Sequence, residues 1–138
     1  MKKLTLTILT CLIFLSPNVV LSETMSDLVV REGLYYKKFS QVPFTGKITG
    51  NKQGLIKNGK KEGAWVDYWE NGQLEYNGNF KNGKRVGYWI RYYEHGQLNF
   101  KGNYMNNIKE GSWIIYHKDG TVIKKLTGTY KDGWKISD

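Results

Sequence analysis

Three tryptophans, Trp65, Trp89 and Trp113, recur at 24-residue intervals, and seven basic residues, Lys57, Lys60, Lys61, Lys81, Lys84, Arg85 and Lys109, recur beside them. Indole faces offer apolar and π contact, and clustered cations raise the local concentration of anions. These ten residues are therefore the candidate binding set. A basic strip of this kind suits phospholipid head groups, cell-envelope polymer or an acidic protein. The indoles admit two readings: they stack along a ribbon and close its second face, or they line an exposed aromatic groove.

Proton-transfer chemistry finds no matching constellation. The 24-residue register aligns His95 with Asn71 and Asp119, and His117 with Trp69 and Tyr93. Asp67 lies between two tryptophans, but it aligns with Arg91 and Ile115, so no carboxylate pair recurs for acid and base work. No metal-ligand cluster, phosphate-cradling loop or nucleophile with a matched base is present. The expectation is a protein that is not an enzyme and needs no cofactor. Nucleic acid is disfavoured as a partner, because neither a recognition-helix pattern nor an RNA-binding signature appears.

The elements that must position these side chains follow from the repeat itself. Tyr68, Tyr92 and Tyr116 keep the 24-residue step, as do Gly72, Gly96 and Gly120, and Gly63, Gly87 and Gly111. A fixed period of this size denotes a repeat architecture. Ala64 to Trp69 is rich in aromatic and β-branched types, Glu70-Asn71-Gly72 is a turn signal, and Gln73 to Phe80 resumes an extended pattern. Each unit thus reads as a β-hairpin followed by a Gly-containing loop, Lys81 to Gly87. The glycine spacing would break any helix within three turns.

Alternation assigns the faces. Val66 and Tyr68, Ile90 and Tyr92, and Ile114 and Tyr116 are the expected core side chains of the first strands; Leu74, Tyr76 and Phe80, with Leu98, Phe100 and Tyr104, those of the second. The tryptophans fall on the other face unless a bulge intervenes. The last hairpin is two residues longer, which keeps the facing of Leu126 and Tyr130. Asn107 stands where earlier units carry Gly59 and Gly83, which leaves that loop's conformation open. One hairpin buries too little to fold alone, so stability must come from stacked neighbours. Stacking should align the basic loops along one edge and bring Glu70, Glu94 and Asp119 together at the other.

The amino terminus reads as a targeting segment. Lys2 and Lys3 precede an apolar stretch from Leu4 to Leu15, and Pro17-Asn18 stands just before a small-residue cleavage site ending at Ser22. Twelve residues are too few to span a bilayer, which takes roughly 20. Cleavage would remove the single cysteine, Cys11, and lower the net charge from +9 to +7 by removing Lys2 and Lys3. The expected organisation is a signal peptide over 1–22, a capping segment over 23–46 and hairpin repeats over 47–138, in a periplasmic or secreted protein.

The pattern Gly-x-Trp-x-x-Tyr-x-x-x-Gly-x-Leu-x-x-x-Gly-x-Tyr, present from Gly63 to Phe80 and from Gly87 to Tyr104, resembles the bacterial MORN-repeat-variant family, some of whose members carry an antitoxin label. The resemblance covers about residues 33 to 138. It implies an all-β fold, an elongated and curved antiparallel sheet of stacked hairpins; the better-known MORN proteins are associated with membrane lipids and protein assembly. The function expected is an exported scaffold that binds a protein first of all, or an anionic lipid or envelope polymer, through its sheet face or basic edge. The alternatives are a structural envelope protein without a discrete site and an antitoxin-like module that neutralises a protein.

Overall fold

The computed structural model describes residues 22–138. The segment expected to be a signal peptide, with Cys11, lies outside the described residues except for Ser22. A short 3-10 turn, Met25–Asp27, leads into a separate two-stranded sheet of β1, Leu28–Arg31, and β2, Leu34–Lys37. The remaining strands form one open antiparallel meander in chain order. They are β3, Gly46–Ile48; β4, Lys52–Lys57; β5, Lys60–Tyr68; β6, Leu74–Lys81; β7, Lys84–Tyr92; β8, Leu98–Met105; β9, Ile108–Ile115; β10, Gly128–Lys131; and β11, Trp134–Ser137. The expected all-β sheet of repeating hairpins is the observed fold.

Two kinds of reversal alternate. The tight ones are two-residue turns with both central residues at positive φ: Asn58-Gly59 (49° and 73°), Asn82-Gly83 (50° and 78°), Asn106-Asn107 (53° and 73°) and Asp132-Gly133 (52° and 84°). This is the I′ geometry, whose twist matches that of the flanking strands. Asn107 therefore adopts the same left-handed conformation as Gly59 and Gly83, since asparagine tolerates it better than most residues. The expected loop from Lys81 to Gly87 is not a loop: only Asn82-Gly83 turns, and Lys84 already belongs to β7. The wider reversals lie at the Glu70-Asn71-Gly72 signals, where Gly72 N–H donates to Trp69 O and Trp69 N–H to Gln73 O.

Each first strand also carries a bulge that places its tryptophan. Gln53 faces Val66 and Leu55 faces Glu62, so Gly54 alone opposes the three residues Gly63-Ala64-Trp65. Gly78 opposes Gly87-Tyr88-Trp89, and Gly102 opposes Gly111-Ser112-Trp113, in the same way. Gly63, Gly87 and Gly111 supply φ of 68°, 66° and 68° there, which costs glycine nothing sterically.

The core lies on the tryptophan face, which corrects the expected assignment of the first strands. Trp65, Trp89 and Trp113 are 0, 3 and 1% exposed, whereas Val66, Ile90 and Ile114 on the opposite face stay half-buried. Pairing decides this: Trp65 is opposite Gly78 and Asp67 opposite Tyr76, and directly opposed residues share a face. Tyr76, Phe80, Phe100 and Tyr104 therefore lie on the core face as expected, and Val66 lies on the other. Tyr130 is buried as expected, while Leu126 sits exposed in a turn after Ile123, where the two extra residues are accommodated.

The first core cluster, Leu28, Phe44, Ile48, Ile56 and Trp65, is covered by the β1–β2 hairpin, with Tyr35 packed against it. The second, Trp89, Tyr104, Trp113 and Tyr130, draws no residue from that hairpin. Its rings shield one another instead. Trp65, Phe80, Trp89, Tyr104, Trp113 and Tyr130 alternate in an edge-to-face series with centroid separations of 6.0, 5.0, 6.1, 4.7 and 6.3 Å, an arrangement that aromatic quadrupoles favour.

Candidate interaction surface

The seven basic candidates divide between the two faces of the sheet, because neighbours along a strand point to opposite sides. Lys61 reaches over the core face. Its Nζ is 4.1 Å from the Trp65 centroid and 5.0 Å from that of Phe80. Arg85 repeats the contact over Tyr104 at 4.0 Å and Trp89 at 5.9 Å, and Lys109 over Trp113 at 4.8 Å and Tyr130 at 4.7 Å. Each cation thus clamps two successive rings of the series. Such contacts stabilise by about 0.5–2 kcal/mol, more as the cation is desolvated. Burial pushes the Lys61 ammonium below its ordinary range, with the Asp67 charge opposing, and burial does the same to Lys109. Burial likewise raises the Tyr104 phenol, against the field of Arg85. A single uniform basic strip does not form, and neither does an exposed aromatic groove, since the three indoles are buried.

Lys57, Lys60, Lys81 and Lys84 occupy the back face, at the ends of adjacent tight turns. Lys57 is opposite Lys60, and Lys81 opposite Lys84. A Cβ on Gly83 would stand 3.6 Å from Lys60 Cβ, so the second turn lies against the first. None of the four makes an ion pair among the described residues. Glu62, a carboxylate on the same face by strand alternation, accepts the Asn82 N–H at 2.7 Å.

The opposite edge is a ladder of loops. Asn71 Nδ2 donates to Glu94 O at 2.8 Å, and Tyr93 hydroxyl to Tyr116 O at 2.9 Å. His95 Nε2 lies 2.8 Å from Lys118 O, which makes this histidine a rung between loops. Glu70, Glu94 and Asp119 are exposed on these aligned tips. An open groove of about 500 Å³ between the tips is lined by Trp69, Arg91, Tyr93 and His95 among others. Arg91 leans on Trp69 and pairs with Glu75 at 2.7 Å, so its charge is already engaged.

Asp67 is the buried charged residue of the core face. It is 0% exposed, Lys52 Nζ approaches its Oδ2 at 3.1 Å, and its Oδ1 has no hydrogen-bond partner. The Tyr76 phenol opposite is raised far above its ordinary range, by burial first and by Asp67 second. No group of three potential metal-ligating side chains occurs among the described residues, and none of their helices is long and apolar enough to cross a membrane.

This geometry defines a hairpin-repeat protein whose units interlock through tryptophan, glycine and a cation. The family model described as MORN repeat variant matches residues 61–82 and 85–106, two successive units of that array. No curated protein matches the chain.

Proposed function

We propose that the chain is an exported, non-enzymatic repeat scaffold that binds a protein, or an anionic component of the cell envelope, through the lysines of its back-face turn edge. The observation that carries this reading is the set Lys57, Lys60, Lys81 and Lys84, four cations on two adjoining turns with no carboxylate partner among the described residues. No ion pair or ring contact engages their ammonium groups among the described residues, whereas Lys61, Arg85 and Lys109 are held over the core rings. Export rests on the Lys2-Lys3 and Leu4–Leu15 pattern. A mainly structural envelope protein is the second reading, favoured by the complete enclosure of the tryptophan ladder.

In-cell crosslinking of the full chain, followed by identification of the adducts, tests the proposal. A specific adduct should form in the envelope fraction and disappear when Lys60 and Lys84 are both changed to Glu. An adduct pattern indifferent to that reversal would favour the structural reading.

A further inference from the structure

The four lysines form only half of a longer row. The positions of Lys60 and Lys84 are occupied in the next two hairpins by Ile108 and Trp134, and those of Lys57 and Lys81 by Met105 and Lys131, because Met105 is opposite Ile108 and Lys131 opposite Trp134. All these residues lie on the back face by strand alternation. The turns hold the row together. Gly83 N–H donates to Lys61 O, Asn107 N–H to Arg85 O and Gly133 N–H to Lys109 O, and a Cβ on Gly133 would stand 3.3 Å from Ile108 Cγ2. Met105, Ile108, Trp134 and Ile136 are 52, 44, 78 and 62% exposed. One end of the turn edge is wholly cationic, whereas at the other Met105, Ile108 and Trp134 leave Lys131 as the one cation of that half of the row. The back-face carboxylates Glu62 and Glu110 accept the N–H groups of Asn82 and Asp132 and pair with none of the row's lysines.

We infer that this row receives an extended protein segment with an acidic block, set against Lys57, Lys60, Lys81 and Lys84, and an adjoining apolar block, set against Met105, Ile108 and Trp134. The inference rests on the proposed scaffold function and names the chemistry of its partner. Charge complementarity selects the acidic block, and an exposed tryptophan flanked by aliphatic side chains supplies an anchor of the kind that dominates binding energy. Length and shape select a flexible chain. From Lys60 to Trp134 the row crosses six strand spacings, roughly 29 Å, which about nine extended residues would span. Over the same strands the sheet rotates by roughly 120–150°. A flat bilayer cannot touch both ends of so twisted a row at once, whereas an extended peptide follows it.

The test uses the full processed chain and fluorescein-labelled peptides about nine to twelve residues long, read by anisotropy. One peptide joins a glutamate block to a Leu/Phe block, one has the glutamates replaced by glutamine, and one has the apolar block replaced by serine. Vesicles of phosphatidylglycerol and phosphatidylcholine form a further arm. The joined peptide should bind at least about tenfold more tightly than either control, and a Lys60→Glu/Lys84→Glu variant and an Ile108→Ser/Trp134→Ser variant should each lose about tenfold. The loss from charge reversal should shrink at high salt, where exposed charges are screened, and the loss at Ile108 and Trp134 should persist. Circular dichroism melts of both variants confirm folding. Equal binding of the serine-substituted peptide would overturn the inference while leaving a purely basic binding edge intact. Vesicle binding that depends on Trp134, with no preference for the joined peptide, would overturn it in favour of a membrane contact. Failure of the scaffold function itself would instead appear as crosslinks indifferent to Lys60 and Lys84.

Discussion

The Cδ2 atom of Trp89 occupies the space beside Gly78 so fully that a Cβ on that glycine would stand 2.2 Å from it. Trp65 lies over Gly54 and Trp113 over Gly102 in the same way, at 2.4 and 2.3 Å. The glycine is a slot for the next unit's indole. Phe44 over Gly46 closes one end of this series, and the Ser137 carbonyl over Gly128 closes the other.

Gly78→Ala should therefore destabilise the protein by about 1–3 kcal/mol, the usual cost of overpacking a rigid site. Gly87→Ala, at φ +66° with open space around it, should cost only the left-handed backbone term, about 1–2 kcal/mol. Urea unfolding measures both. Combining each substitution with Trp89→Leu separates them, because only the Gly78 loss should diminish when the indole is gone. An undiminished loss would mean that the slot is not what requires the glycine.

Much of this was legible in the sequence, and the failures have physical causes. The 24-residue period, the strands and the wide turns follow directly from residue types. The core face does not. Gly54, Gly78 and Gly102 interrupt the apolar alternation at the positions that matter most, and Asp67 sits beside Trp65, so the true inner face looks mixed while Val66 and Tyr68 look uniform. The clue available was that these three glycines keep the tryptophans' own step. A single loop over Lys81 to Gly87 would merge two sets of cations, since loop residues carry no facing. Once Asn82-Gly83 alone makes the turn, Lys84 and Arg85 must point to opposite sides. Gly63, Gly87 and Gly111 resemble turn residues because a bulge and a turn ask the same left-handed conformation of the chain.

The clamp on the aromatic series has a pH signature. Burial holds the folded-state value of Lys61 below the ordinary 10.5, so between that lowered value and 10.5 the unfolded chain binds more protons than the folded one. Stability from this group is diminished at neutral pH and recovers as pH rises through that window. Lys61→Met removes the term. The stability of the parent relative to the variant should rise as pH passes through the window just below 10.5 and level off above it. A flat or falling difference in urea unfolding would show that the attraction of the ammonium to Trp65 and Phe80 offsets or outweighs its desolvation.

Asp67 and Lys52 should behave as a coupled pair. Lys52→Met strands a fully buried carboxylate whose Oδ1 already lacks a partner. The loss should be between about 1 and 3 kcal/mol, below that of a fully buried pair because the Lys52 side chain is half exposed to solvent. Asp67→Asn removes the stranded charge, so the double variant should be more stable than Lys52→Met alone. If the two losses simply add in thermal and urea unfolding, the 3.1 Å contact contributes nothing specific.

Because every unit presents the same slot and the same indole, a whole period should be removable. Deleting residues 61–84 joins Lys60 to Arg85 just as Lys84 is joined to it now, and sets Trp89 over Gly54. The shortened chain should retain a cooperative transition at a lower melting temperature, since stability in such arrays sums over units and their interfaces. Deleting residues 62–84 leaves one residue more, and a one-residue slip turns every side chain beyond it to the wrong face. That variant would bury Val86 and Ile90 and expose Trp89, so it should show no cooperative melt in near-ultraviolet circular dichroism. Comparable cooperative melts for the two deletions would mean that register between hairpins, and with it the interlock of Trp89 and Gly78, does not hold the sheet together.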